Sequence, residues 1–134
     1  LALAAQATFA LIDYPRETVV LKFTNEDLKQ AGSYPEPRDI HTYLGTLSAG
    51  NHIANENVYV RYVEYQNNYN NVVLVVNMEL QASGTIHFVT AQNVDGSEAV
   101  VCETAKTLGS SRSVIHIRIA PGSTAKLRVQ IATH

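Results

Sequence analysis

The chain is predicted to be all-β, an antiparallel sandwich, on three observations. Its C-terminal part alternates strictly: Ile115, Ile117 and Ile119 share one face against His116 and Arg118, and Leu127, Val129 and Ile131 oppose Lys126, Arg128 and Gln130. Such alternation buries one face of a strand and wets the other. Clusters of Gly, Pro, Asn and Ser interrupt apolar runs at short, regular spacing, as they do between the strands of sandwiches and jelly rolls. Finally, only one internal segment carries helix signals. The expected architecture is a jelly-roll or immunoglobulin-like sandwich with one short helix and an extended N-terminal strand.

In chain order, residues 18–24 (TVVLKFT) are rich in β-branched side chains and read as a strand. Residues 25–32 read as one or two helical turns, with Asn25 as cap, Glu26 and Asp27 at the positive end, and Gly32 as terminator. Two prolines make 34–38 a loop, and 41–48 a short strand ended by Ala49-Gly50-Asn51. Residues 57–65 form a strand with Val58, Val60 and Tyr62 opposite Tyr59, Arg61, Val63 and Tyr65. The Asn-rich 66–71 is a turn, because Asn tolerates positive φ and bonds to nearby backbone. Residues 72–76 are apolar on both faces and predict a central strand. Residues 79–90 read as a hairpin turning at Ser83-Gly84, with Ile86 and Phe88 on one face and His87 and Val89 on the other. A turn at 93–97 leads into Ala99–Cys102, and Pro121-Gly122 joins the last two strands as an antiparallel pair.

Length and charge narrow the function. A chain of 134 residues makes one domain with a core of its own. A net charge of −2 provides no footprint for nucleic acid or an anionic membrane. No apolar run approaches the roughly 18–20 residues that span a bilayer, so membrane insertion is not expected. The single Cys102 cannot form an intramolecular disulfide and is expected to behave as a small buried hydrophobe, with an intermolecular bridge as the rival reading.

No motif for phosphate binding, zinc hydrolysis, a serine nucleophile elbow or a dithiol occurs. No catalytic residue, metal or cofactor is therefore assigned, and the chain is not expected to be an enzyme. His41, His52, His87, His116 and His134 lack local metal spacing, and His87 and His116 fall at solvent-facing strand positions. Residues 93–98 (NVDGSE) resemble a calcium loop but lack its third acidic position and a correctly spaced Glu, so a turn is expected. Tyr34, Tyr43, Tyr59, Tyr62, Tyr65 and Tyr69 could offer a sugar platform, or serve as subunit contacts or half-buried core.

The most distinctive stretch is residues 1–12, LALAAQATFALI. With period two, Leu1, Leu3, Ala5, Ala7, Phe9 and Leu11 share a face, and the other face is small or polar before Ile12. Two rival readings stand beside a strand. Ala and Leu favour helix, and Ala5-Gln6-Ala7 resembles a signal-peptidase site. Asp13-Tyr14-Pro15-Arg16 then breaks the pattern, dividing the chain into a donor strand and hinge (1–14) and a sandwich domain (15–134). A sandwich exposes edges that accept strands. Inserted into a neighbour, residues 1–12 would complete that neighbour's sheet, and repetition would grow a fibre. Burying Leu1, Leu3, Phe9 and Leu11 would contribute about 6–12 kcal/mol before ordering costs.

The segment Ala7-Thr-Phe-Ala-Leu-Ile-Asp13 after an Ala-rich run, with Ile119-Ala-Pro-Gly-Ser-Thr-Ala-Lys-Leu-Arg-Val129 near the end, resembles the TasA/camelysin-type secreted matrix proteins and the related archaeal bundling pilins. The resemblance covers about 20 residues at the two chain ends. It implies a secreted jelly-roll subunit forming homopolymeric biofilm or pilus filaments at the cell surface or in the matrix. Two alternatives stay open: a viral jelly-roll coat protein, although no Lys or Arg precedes Arg16, and a carbohydrate-binding module or lectin using surface Tyr.

Overall fold

Among the described residues, alternating side chains sort nine strands into two facing sheets. The computed structural model describes residues 14–29, 47–103 and 108–134. The strands are β1 (Arg16–Lys22), β2 (Leu28–Lys29), β3 (Leu47–Gly50), β4 (Asn57–Gln66), β5 (Leu74–Gln81), β6 (Ile86–Asn93), β7 (Val100–Glu103), β8 (Arg112–Ile119) and β9 (Thr124–Thr133). One sheet has the order β1-β5-β8-β7 and the other β2-β4-β9-β6-β3. All pairings are antiparallel except β1 with β5, which is parallel. The all-β sandwich expected from the sequence is the fold observed.

The core lies between the sheets. Leu74, Val76, Met78 and Leu80 from β5 and Ile115, Ile117 and Ile119 from β8 meet Leu127, Val129 and Ile131 from β9, all buried. Phe23 continues the core beyond β1 and meets Tyr59 edge-on, with ring centroids 6.2 Å apart. β5 is central, between β1 and β8, and Val75 on its outer face is also buried.

Several local expectations are corrected. The helix at 25–32 is a single 3-10 turn, Asn25–Asp27, from which the chain passes directly into β2. Thr24, not Asn25, is its N-cap, and the Thr24 N–H donates to Asp27 Oδ2 at 2.9 Å. Residues 79–90 are not a hairpin. The neighbours of β5 in its sheet are β1 and β8, so the chain turns at Gly84 (φ +89°) and crosses to the other sheet, where β6 pairs with β9. Pro121-Gly122 likewise carries the chain between sheets, so β8 and β9 are not paired with each other.

Alternation along β6 also fails, because the register shifts between Ile86 and Phe88. Ile86 joins Val89 in the main core, while Phe88 clusters with Val58, Val60 and Ala132 on the opposite face of the five-stranded sheet. That face is therefore not uniformly wet: Arg128 and Gln130 are buried there too, and the His52 ring stacks on Phe88 at a centroid distance of 4.0 Å. Cys102 is exposed rather than buried. It lies opposite His116 on β8, on the face away from the core residues Val101 and Ile117.

Candidate functional site

The predicted donor residues Leu1, Leu3, Ala5, Ala7, Phe9 and Leu11 lie outside the described residues, as do the loop at 34–38 and most of 41–48. Among the described residues, strand edges remain on one side of the sandwich. On one side of the sandwich, β1 ends its sheet, and β4 is covered by β2 only at Tyr59 and Val58. No described strand bridges β1 to the rest of β4. Val19, Val63 and Tyr65 pack against the core along this seam but remain partly exposed.

Side chains close parts of the seam. The Tyr65 hydroxyl donates to Glu17. Arg61 donates to the Lys22 carbonyl at 2.9 Å, pairs with Asp27 at 3.1 and 2.5 Å, and sits over the Phe23 ring. Burial pushes the Asp27 carboxyl up, but hydrogen bonds from Arg61 and Thr24, with the Arg61 charge, outweigh it and hold the group below its ordinary value. At the other end of the seam a cleft of about 380 Å³ opens among Glu17, Glu64, Tyr65, Tyr69 and Leu74. Pro15 enters the sheet here, its carbonyl accepting from Val75 N–H at 2.9 Å.

The tyrosines do not form one platform among the described residues. Tyr59 is core, Tyr65 spans the seam, and Tyr62 (67% exposed) and Tyr69 (46%) occupy a strand face and a turn. The 93–98 loop is organised around one side chain. Asn93 Nδ2 donates to the Ala99 carbonyl at 2.8 Å, while its Oδ1 accepts from Ala99 N–H and the Ser97 hydroxyl. With Asp95 and Gly96 at positive φ, this is a turn, as expected. Among the described residues, no group of three or more His, Cys, Asp or Glu side chains is arranged to hold a metal ion. No described helix is long and apolar enough to cross a membrane.

A polar cluster that the sequence did not suggest lies at the end of the five-stranded sheet where Asn57 pairs with Thr133. Glu56, in the connection between β3 and β4, accepts from the Ile53 N–H at 3.1 Å and pairs with His52 Nδ1 and His87 Nε2, the latter at 2.7 Å. His87 Nδ1 in turn meets His134 Nδ1 at 2.8 Å. Burial raises the Glu56 carboxyl, yet hydrogen bonds from His87, the Ile53 backbone and His52 outweigh it, leaving the group below its usual value. His87 is not the solvent-facing residue that strict alternation predicts. The register shift redirects the chain at this position, and its side chain is only 12% exposed. His116, on the outer face of the four-stranded sheet, bonds through Nδ1 to Asn77.

Gly50 lies beside the shift, opposite Phe88 at φ +83°. A Cβ on Gly50 would overlap the His87 carbonyl, so only glycine allows β3 this close to the irregular strand. Glu56, His87 and His134 are far apart in sequence, and that is why local spacing gave no sign of them. No protein-family model, curated protein or solved structure matches the chain.

Proposed function

We propose that this chain is a structural, non-enzymatic subunit of a secreted extracellular filament, a pilus or biofilm-matrix fibre, and that residues 1–12 of each copy dock along a neighbouring copy. The observation that carries the proposal is the β1/β4 seam. Val19, Val63 and Tyr65 are only half covered there, and no described strand closes it. A strand presenting Phe9 and Leu11 on one face has the side chains to cover such a seam and the backbone to pair with its edge.

The connection favours docking on another copy. Pro15 already belongs to the ladder, leaving only Asp13-Tyr14 between the alternating segment and β1. A two-residue hairpin onto the subunit's own β1 calls for positive φ at both connecting positions or glycine at the first; Asp13 tolerates positive φ, but Tyr14 does so poorly and neither residue is glycine.

Negative-stain microscopy of the full chain is expected to show filaments. A chain starting at Asp13 is expected to remain folded, less stable and monomeric, and a peptide of residues 1–12 should raise its melting temperature. Monodisperse monomers of the full chain, or filaments that persist without residues 1–12, would overturn the proposal.

A further inference from the structure

We infer that the outer face of the four-stranded sheet binds an acidic polysaccharide, a glycan whose sugars carry carboxylates, and that the cleft between Lys22 and Arg112 seats one of those carboxylates. The inference does not rest on filament assembly. Three features carry it.

The first is where alternation puts the charge. Leu21, Val76, Ile117 and Val101 point into the core, so their strand neighbours point out. Register then sets Arg16 and Arg118 on either side of Val75, and Lys22 and Arg112 on either side of Gln81. Among the outward positions of these four strands, Glu79 is the one carboxylate. A chain of net charge −2 thus turns four cations and a single acid toward one side. Arg16, Lys22 and Arg118 are exposed and make no ion pair among the described residues. Arg112, 68% exposed, reaches Glu79 at 3.3 Å.

The second is a cleft at the end of this face. It has a volume of about 240 Å³ and opens between Lys22 and Arg112, with Ser83 and Ser111 also in its wall. Two cations and two hydroxyls supply donors for carboxylate oxygens, and no described carboxylate lines the cleft. Three of the face's four cations are arginines, whose planar fork matches a carboxylate with two parallel bonds.

The third is the spacing. Each cation pair spans two strand gaps, about 10 Å, and the pairs stand six residues apart along the strands, about 20 Å. Duplex nucleic acid presents a charge every 1.7 Å or so and rewards a denser array, while single strands call for stacking aromatics. The outward positions of these strands hold no aromatic side chain. An anionic membrane draws on a tight cluster of basic residues, whereas here Glu79 separates the pairs. Between the pairs, His116 Nδ1 bonds to Asn77 Oδ1, which leaves His116 Nε2 and the Asn77 amide N–H groups for sugar hydroxyls. Val20, 57% exposed, offers an apolar contact for sugar C–H groups. Charges at intervals with hydroxyls between them describe an acidic glycan.

Fluorescence anisotropy of a labelled oligogalacturonate tests this on the full chain, since it reads binding to a monomer and to a filament alike. Binding that weakens with added salt is expected. Lys22→Gln/Arg112→Gln should lower affinity about tenfold or more, and Arg16→Gln/Arg118→Gln about three- to tenfold. Glu79→Gln should raise it about two- to fivefold by removing the repulsive charge. Lys126→Gln, on the five-stranded sheet, should change nothing. The substituted side chains reach solvent, so melting temperatures should barely move. Affinity weaker than about 1 mM, equal binding of neutral dextran, or an equal loss in Lys126→Gln would overturn the inference. So would tighter binding of duplex DNA or phosphatidylserine vesicles that the same double substitutions abolish.

Discussion

The two ends of the long β4–β9 ladder are fastened by buried polar clusters of opposite character. At the Gln66–Thr124 end, Asn67 is fully buried. Its Nδ2 donates to the carbonyls of Val72, Ile119 and Ala120 at 2.9, 3.0 and 3.1 Å, its Oδ1 accepts from Tyr69 N–H, and its backbone N–H donates to the Ser123 carbonyl. At the Asn57–Thr133 end, Glu56 accepts from one backbone N–H and pairs with two imidazoles, one of which leads to His134 near the surface. The first cluster is neutral and closed: each polar atom of the Asn67 side chain has a backbone partner. The second is ionisable and opens to solvent at His134. Both hold loops to strand ends, but only the second is built from ionisable side chains. Burial of polar groups is thus shared by both ends, and charge belongs to one.

The sharpest way to break this contrast is to put a charge into the neutral end. Asn67→Asp replaces a donor that faces three carbonyl oxygens with a carboxylate that no described cation neutralises. The expected loss is about 3–5 kcal/mol at pH 7, an uncompensated buried charge being the cause. Urea unfolding should show the variant recovering part of that loss under acid, as the new carboxyl becomes protonated. A loss below about 1 kcal/mol would mean that the 66–73 loop re-forms without its anchor. A smaller effect is expected at the other end from Gly50→Ala, which imposes a positive-φ penalty and an overlap with the His87 carbonyl. Roughly 2–3 kcal/mol should be lost, and the β3–β6 amides should lose protection in hydrogen exchange before those of β4–β9. Uniform loss of protection would show that Gly50 supports the whole sheet rather than the irregular turn of β6.

These two positions also mark where the sequence stopped being informative. The core faces of β8 and β9 were plain from alternation, because a strand with one buried face writes that face into every second residue; in β4 alternation separated two sets of side chains, and both proved to hold buried apolar residues. The phase of β6 was not plain, since the shift at His87 lies where Gly50, 37 positions earlier, approaches its carbonyl. The turns at Gly84 and Gly122 were recognisable as turns, yet nothing local distinguishes a hairpin from a crossing between sheets. That choice is made by which strands already occupy the neighbouring edges. Asn67 looked like one more residue of an Asn-rich turn, and its carbonyl partners at Ile119 and Ala120 lie more than fifty positions away. For the candidate site, the alternating face of residues 1–12 was apparent at once, but the seam it would cover depends on the parallel pairing of β1 with β5, which no pattern announces.

Between the neutral and the ionisable end lies Asp27–Arg61, a partly exposed ion pair on the seam, and it should produce the smallest effect. The folded-state pKa of Asp27 is lowered from its ordinary 3.8. Its stabilising contribution is therefore fully present above that value and is lost as pH falls through the folded pKa. The stability difference between the wild type and Asp27→Asn should stay constant from pH 7 to about 5, then shrink as pH drops below the ordinary carboxyl range. Arg61 is 30% exposed, so screening keeps the difference within about 1 kcal/mol, and added salt should reduce it further. The wild type also carries Glu56, another carboxyl held low, so its own acid transition combines both groups, whereas the difference between the two proteins isolates Asp27. A difference that grew on acidification would mean that the carboxylate is better stabilised in the unfolded chain, and that Arg61 secures the seam through Phe23 and the Lys22 carbonyl alone.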